Sequence, residues 1–169
     1  SPPPPAPPSP PPPQAAQFAP ETKNQLQDAV DAWCPISAMW LTWAACQDED
    51  GNTVLSKFGD ISDWDVSQIN DMSDLFANKA TCNPDLSKWD TGAVANMESM
   101  FNGATSFNRD LSKWDTGKVT NMNYMFYKAT AFNGDLSKWN TGKVIYMQYM
   151  FFGATSFTEK KFCPSAPEG

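Results

Sequence analysis

The chain has 169 residues, room for one domain and a tail. Its 12 basic and 19 acidic side chains leave a net charge of −7 and a pI near 4.4, which argues against nucleic acid or an anionic membrane as partner, since both select basic patches. There is no histidine, so serine–histidine or cysteine–histidine catalysis and histidine-held metals are excluded.

Residues 1–17 form a proline-rich arm. Ser1-Pro2-Pro3-Pro4-Pro5 and Ser9-Pro10-Pro11-Pro12-Pro13 repeat one phrase. Proline has no N–H and a fixed φ, so a polyproline II rod is expected. The phrase resembles the extensin-type motif of plant and algal wall glycoproteins. That resemblance implies O-linked sugars on Ser1, Ser9 and hydroxylated prolines, and an extracellular home. No apolar run reaches the ~20 residues that span a bilayer. No signal peptide is read either, as expected of a mature form from which one was removed.

Residues 18–58 read as a helical N-terminal cap. Leu26, Ala29, Val30 and Trp33 recur at three and four, the helical period, and Met39, Trp40 and Trp43 continue the apolar surface. The acidic turn 48–52 lacks the glycine and glutamate of a calcium loop, so a solvated turn is expected.

From residue 59 to 157 one 25-residue phrase is written four times. Its anchors are Trp64, Trp89, Trp114 and Trp139. Met72, Met97, Met122 and Met147 form a second column, and Phe76, Phe101, Phe126 and Phe151 a third. Cys82, Phe107, Phe132 and Phe157 close the phrase. A fixed period of this length marks stacked units that cannot bury a core alone. Leu111–Asp115 predicts a short parallel strand at ~4.8 Å from its copies. Val119, Met122, Met125 and Phe126 predict a two-turn helix, with Asp71, Asn96 and Asn121 as N-caps and Gly103 and Gly153 at left-handed helix ends. The expected architecture is an α/β repeat solenoid, leucine-rich-repeat-like. Residues 158–169 are expected to form a C-terminal cap, with Lys160 and Lys161 stopping the stack.

The phrase Asp110–Phe126 resembles the BspA-type, leucine-rich-like surface repeats of secreted or lipid-anchored bacterial proteins and of many algal proteins. The resemblance covers about residues 20–160. It implies a solenoid at a cell surface serving adhesion or structure, without enzymatic activity or cofactor. The chain departs from the pattern at Cys82, Asn140 and Tyr146.

Two columns of carboxylates remain to be placed. Asp60, Asp85, Asp110 and Asp135 form one, and Asp65, Asp90 and Asp115 with Asn140 the other. They read either as a row of calcium sites or as side chains bonding their own turns. Asn83, Asn108 and Asn133 read as a structural ladder, and the methionine columns as core rather than copper ligands. Thr91, Thr116, Thr141, Thr105, Thr130 and Thr155 are further candidates for O-glycosylation.

Four cysteines in an extracellular chain should be mostly oxidised. Cys34 and Cys46 are nearest in sequence, yet either could reach Cys82. Cys163 lies too far along the stack for Cys82 of its own chain, so a bond to a neighbouring subunit is expected, with Cys82 favoured as its partner. The leading functional expectation is an extracellular structural glycoprotein that self-assembles head-to-tail through the solenoid ends and the arm. The alternative is an adhesion module that binds protein or cell-wall polysaccharide through its repeat face.

Overall fold

The computed structural model describes residues 17–34, 57–158 and 162. Helix α1, Lys23–Trp33, starts at Thr22, whose hydroxyl accepts from the Gln25 N–H while the Gln25 side chain accepts from the Thr22 N–H. This reciprocal cap satisfies two N–H groups that a helix start leaves open. The helix buries Leu26, Ala29 and Val30.

The repeats stack as four tiers, but they are not the expected α/β repeat solenoid. Among the described residues they hold no α-helix and no strand longer than an isolated bridge. The missing helix has a backbone cause. Asp74, Ser99, Tyr124 and Tyr149 have positive φ, as do Asn78, Gly103, Lys128 and Gly153, all between 54° and 77°. A right-handed helix cannot pass through two left-handed residues per tier. The three-and-four spacing of the methionines and phenylalanines belongs instead to successive turns closed by i→i−3 bonds, such as Ala77 N–H to Asp74 C=O and Lys79 N–H to Phe76 C=O. The strand expected at Leu111–Asp115 is also a turn, because the Trp114 N–H donates to Leu111 C=O (3.1 Å). Parallel pairing falls instead on Asp71, Asn96, Asn121 and Tyr146, bridged in series. These positions were expected to cap helices. Asp71, Asn96 and Asn121 do accept the N–H two residues on (2.8–3.1 Å), in turns that no helix follows.

Bonds between tiers run in a fixed sense along the turn segment. Met72, Asp74, Phe76 and Asn78 donate their N–H groups to carbonyls of Asn96, Glu98, Met100 and Asn102 in the next tier. The same four-bond set joins tiers two and three, and tiers three and four. On the adjoining segment the sense reverses, with Ala95 donating to Asn70, Thr120 to Ala95 and Ile145 to Thr120. Inside, Phe76, Phe101, Phe126 and Phe151 stack ring on ring at 5.4–5.7 Å. Phe107, Phe132 and Phe157 form a parallel pile about 4 Å from the first. Trp64 stacks on Trp89 and Trp114 on Trp139. The indole N–H groups of Trp89, Trp114 and Trp139 each reach back to a carbonyl of the preceding tier, Ile61, Leu86 and Leu111 (2.8–3.0 Å). Met97 and Met122 are fully buried between these columns.

α1 closes the N-terminal end of the stack. Gln27 donates to the Leu75 carbonyl (3.2 Å), and Lys23 reaches Ser73 and Asp71. Lys79 is almost fully buried, and its ammonium lies 2.7 Å from Asp31 and 2.8 Å from the Cys34 carbonyl. Cys34 and Cys82 are joined in a disulfide, with Cα atoms 5.6 Å apart. Cys82 stands where the later tiers place a phenylalanine, so the second aromatic pile ends in a covalent tie to the cap. This corrects the expected bond between Cys82 and a neighbour's Cys163, because Cys82 is already bonded to Cys34 in its own chain. Cys46 and Cys163 lie outside the described residues, as do residues 1–16 of the arm and, apart from Thr158 and Phe162, the expected C-terminal cap.

Candidate interaction surface

The carboxylate columns turn inward on their own loops. Asp60, Asp85, Asp110 and Asp135 each accept the serine N–H two residues on (2.8–3.0 Å). Asp65, Asp90, Asp115 and Asn140 do the same for Ser67, Gly92, Gly117 and Gly142. Among the described residues no three His, Cys, Asp or Glu side chains gather as metal ligands would. Asn83 and Asn108 each accept the N–H of the next asparagine in the ladder (3.0 and 2.9 Å). Thr91, Thr116 and Thr141 are buried, and the first two hydroxyls donate to carbonyls of the following tier. They are closed to sugars, contrary to expectation. The candidates Ser1, Pro2–Pro5, Ser9 and Pro10–Pro13 lie outside the described residues.

These turns carry a pH dependence. The Asp65 carboxyl is held below its ordinary value by the Ser67 hydroxyl and N–H, and those of Asp85 and Asp110 by the N–H and hydroxyl of Ser87 and Ser112. A carboxyl depressed in the folded state adds stability above its unfolded pKa of about 3.9, and loses it as pH falls through the folded value. With no histidine in the chain, no side chain has an ordinary pKa between about pH 5 and 8. The urea midpoint is therefore expected to stay level from about pH 7 down to pH 5 and to drop below about pH 4. A midpoint still rising at pH 3 would contradict this.

The surface columns break their pattern where the core columns do not. At one position the tiers read Asp74, Ser99, Tyr124, Tyr149, and three residues on they read Ala77, Asn102, Tyr127, Phe152. The two positions before the methionine column read Asn70-Asp71, Ala95-Asn96, Thr120-Asn121, then Ile145-Tyr146. The change gathers four rings on the outside of the last two tiers. Tyr124 stacks on Tyr149 and Tyr127 on Phe152, both at 5.4 Å. Edge contacts join Tyr124 to Tyr127 (5.7 Å) and Tyr149 to Phe152 (6.1 Å). The Lys128 ammonium lies 5.1 Å over the Tyr127 ring. Tyr149 and Phe152 are 59% and 58% exposed, and Ile145 and Tyr146 beside them 71% and 50%.

Backbone conformation sharpens the point. Tyr124 and Tyr149 both sit at φ 56°, a region costing roughly 1–3 kcal/mol for a side chain of this kind. The same column holds Asp74 in the first tier, a residue type that tolerates this conformation better. Tyr149 faces solvent, so burial does not offset that cost there, while Tyr124 is half-buried.

Beneath the cluster the last tier has no further tier to pair with. In each earlier tier four N–H groups of the turn segment donate to the next tier. In the last tier their counterparts, those of Met147, Tyr149, Phe151 and Gly153, find no acceptor among the described residues. Phe162 sits edge-on against Phe151 (5.3 Å). Ion pairs and capping side chains thus close one end, while the other presents donors without a partner among the described residues, framed by exposed rings. Sequence reasoning found the constant columns and missed this surface, although reading down the variable columns shows it.

The family model described as "Mycoplasma protein of unknown function, DUF285" matches residues 49–162. No curated protein and no solved structure matches the chain.

Proposed function

The chain belongs to the DUF285 family, and we propose that it is an extracellular structural protein that self-assembles through the C-terminal end of its stack. The observation that carries this reading is the aromatic cluster of Tyr124, Tyr127, Tyr149 and Phe152 above an open row of donors. The polarity of the stack supports a directional contact, because α1 and the Cys34–Cys82 bond seal the other end. The resemblance to BspA-type surface repeats and to extensin-type wall motifs supports an extracellular place. Catalysis is not part of the proposal: the chain lacks histidine, and the carboxylates of both columns are engaged in their turns.

The exposed rings also favour a second reading, adhesion to polysaccharide, since aromatic faces suit sugar rings as well as side chains. One double variant addresses both. Tyr149→Ser with Phe152→Asn installs the residues that the second tier carries there, Ser99 and Asn102, so the fold should persist. Sedimentation of the wild type is expected to show concentration-dependent association that the variant weakens by about tenfold or more, the effect of losing central aromatic anchors. A wild type that stays monomeric throughout, while binding insoluble wall polysaccharide through the same two rings, would replace assembly by adhesion.

A further inference from the structure

The turn segment of the last tier has a one-sided chemistry, while the reversed edge, which ends at the Ile145 carbonyl, lies on the adjoining segment. On the turn segment the four backbone groups without a partner among the described residues, at Met147, Tyr149, Phe151 and Gly153, are donors. Two such turn segments cannot pair with each other, because donors would meet donors and both rows would lose water without gaining a bond. Nor can a second copy offer the complementary carbonyl edge of its first tier, since α1 lies over it and Gln27 already bonds Leu75 C=O. The fitting segment has carbonyls to give and no N–H of its own to bury.

Proline meets that requirement, having a carbonyl acceptor and no N–H. A run of prolines adopts an extended helix whose carbonyls make no internal bonds. Its rings pack into aromatic-lined grooves at low entropic cost, the recurring way such segments are bound. Tyr149 and Phe152 supply the rings, and the donor row lies beside them. The chain itself carries a segment of this kind: residues 1–13 are ten prolines with Ser1, Ala6 and Ser9, and none of their side chains is charged.

We propose that the C-terminal donor row and the Tyr149–Phe152 rings of one copy bind the proline-rich segment 1–13 of another copy. This deepens the self-assembly reading and rests on it. The complex sets carbonyls of the proline run on N–H groups of the last tier and proline rings on the two aromatic faces. It is directional, because each copy has one donor end and one proline segment.

The test uses a fluorescent peptide of residues 1–13, titrated with the full chain and followed by anisotropy. A second full chain, with Pro3, Pro4, Pro11 and Pro12 changed to serine, keeps its own segment from competing. That chain is expected to bind the peptide saturably and to have lost self-association. Adding Tyr149→Ser and Phe152→Asn to it should weaken peptide binding by about tenfold or more. Peptide binding untouched by those two changes would overturn the site. Self-association that persists without peptide binding would overturn the proline segment as occupant and leave the assembly reading standing. A wild type that does not self-associate, together with a proline-to-serine chain that does not bind the peptide, would bring down the two together. A wild type that stays monomeric and excludes the peptide at every dilution would show its own segment in the site and overturn the exchange between copies.

Discussion

Replacing Phe101 by alanine is expected to lower the melting temperature by roughly 10 °C. Phe101 is fully buried, stacked between Phe76 and Phe126 at 5.4 Å on each side and against Phe107 at 4.1 Å. Removing such a ring costs about 3–5 kcal/mol, part transfer and part cavity. In a chain of this size each kcal/mol shifts the transition by about 2–4 °C. The neighbouring rings cannot close the gap, because each is fixed by its own tier's turns. Phe152→Ala offers the contrast, since its ring is 58% exposed and a surface change of that kind shifts stability by about 0.5 kcal/mol. Thermal melts followed by tryptophan fluorescence read both. Equal shifts for the two variants would mean that the buried pile does not carry the stack.

The second large effect concerns the tie between cap and stack. Cys34→Ser with Cys82→Ser is expected to cost about 4 kcal/mol, from the 48-residue separation that the bond closes. The loss should not spread evenly. α1 covers the first tier and holds the almost fully buried Lys79 through Asp31 and the Cys34 carbonyl. Loosening it uncovers the Leu75 carbonyl and the ends of the aromatic piles. Hydrogen exchange is expected to quicken at Lys79 and Phe76 well before Phe126. Uniform quickening along all four tiers would show that the cap does not act locally.

The repeat was legible because burial ties the same columns in every tier. Trp64, Trp89, Trp114 and Trp139 are all buried and repeat at one step. The helix was misread because hydrophobic spacing reports which residues share a face, not the sign of φ. Met97, Met100, Phe101 and Ala104 are buried together in a segment broken by left-handed Ser99 and Gly103. Gly103 and Gly153 hinted at such a backbone. Tyr124, Lys128 and Tyr149 carried no such hint, since their types disfavour the conformation they adopt. The start of α1, by contrast, was written out in Thr22 and Gln25, a capping box that the apolar spacing obscured. The aromatic cluster lay in the columns that vary, and Tyr146 was its one visible sign in the repeat pattern.

The position of the disulfide has a mechanical consequence. Each tier bonds to its immediate neighbours, so tension along the chain would release tiers one at a time, beginning at the end away from α1 and the disulfide. One 25-residue unit drawn out fully yields about 85 Å. Release stops at Cys82, because the residues between Cys34 and Cys82 are bridged and cannot lengthen while the bond holds. Three tiers act as extensible slack and the first as a fixed stop. Under load, with the bond intact, the protein would stretch in steps, hold at a set length, and restack from the tier that never opened.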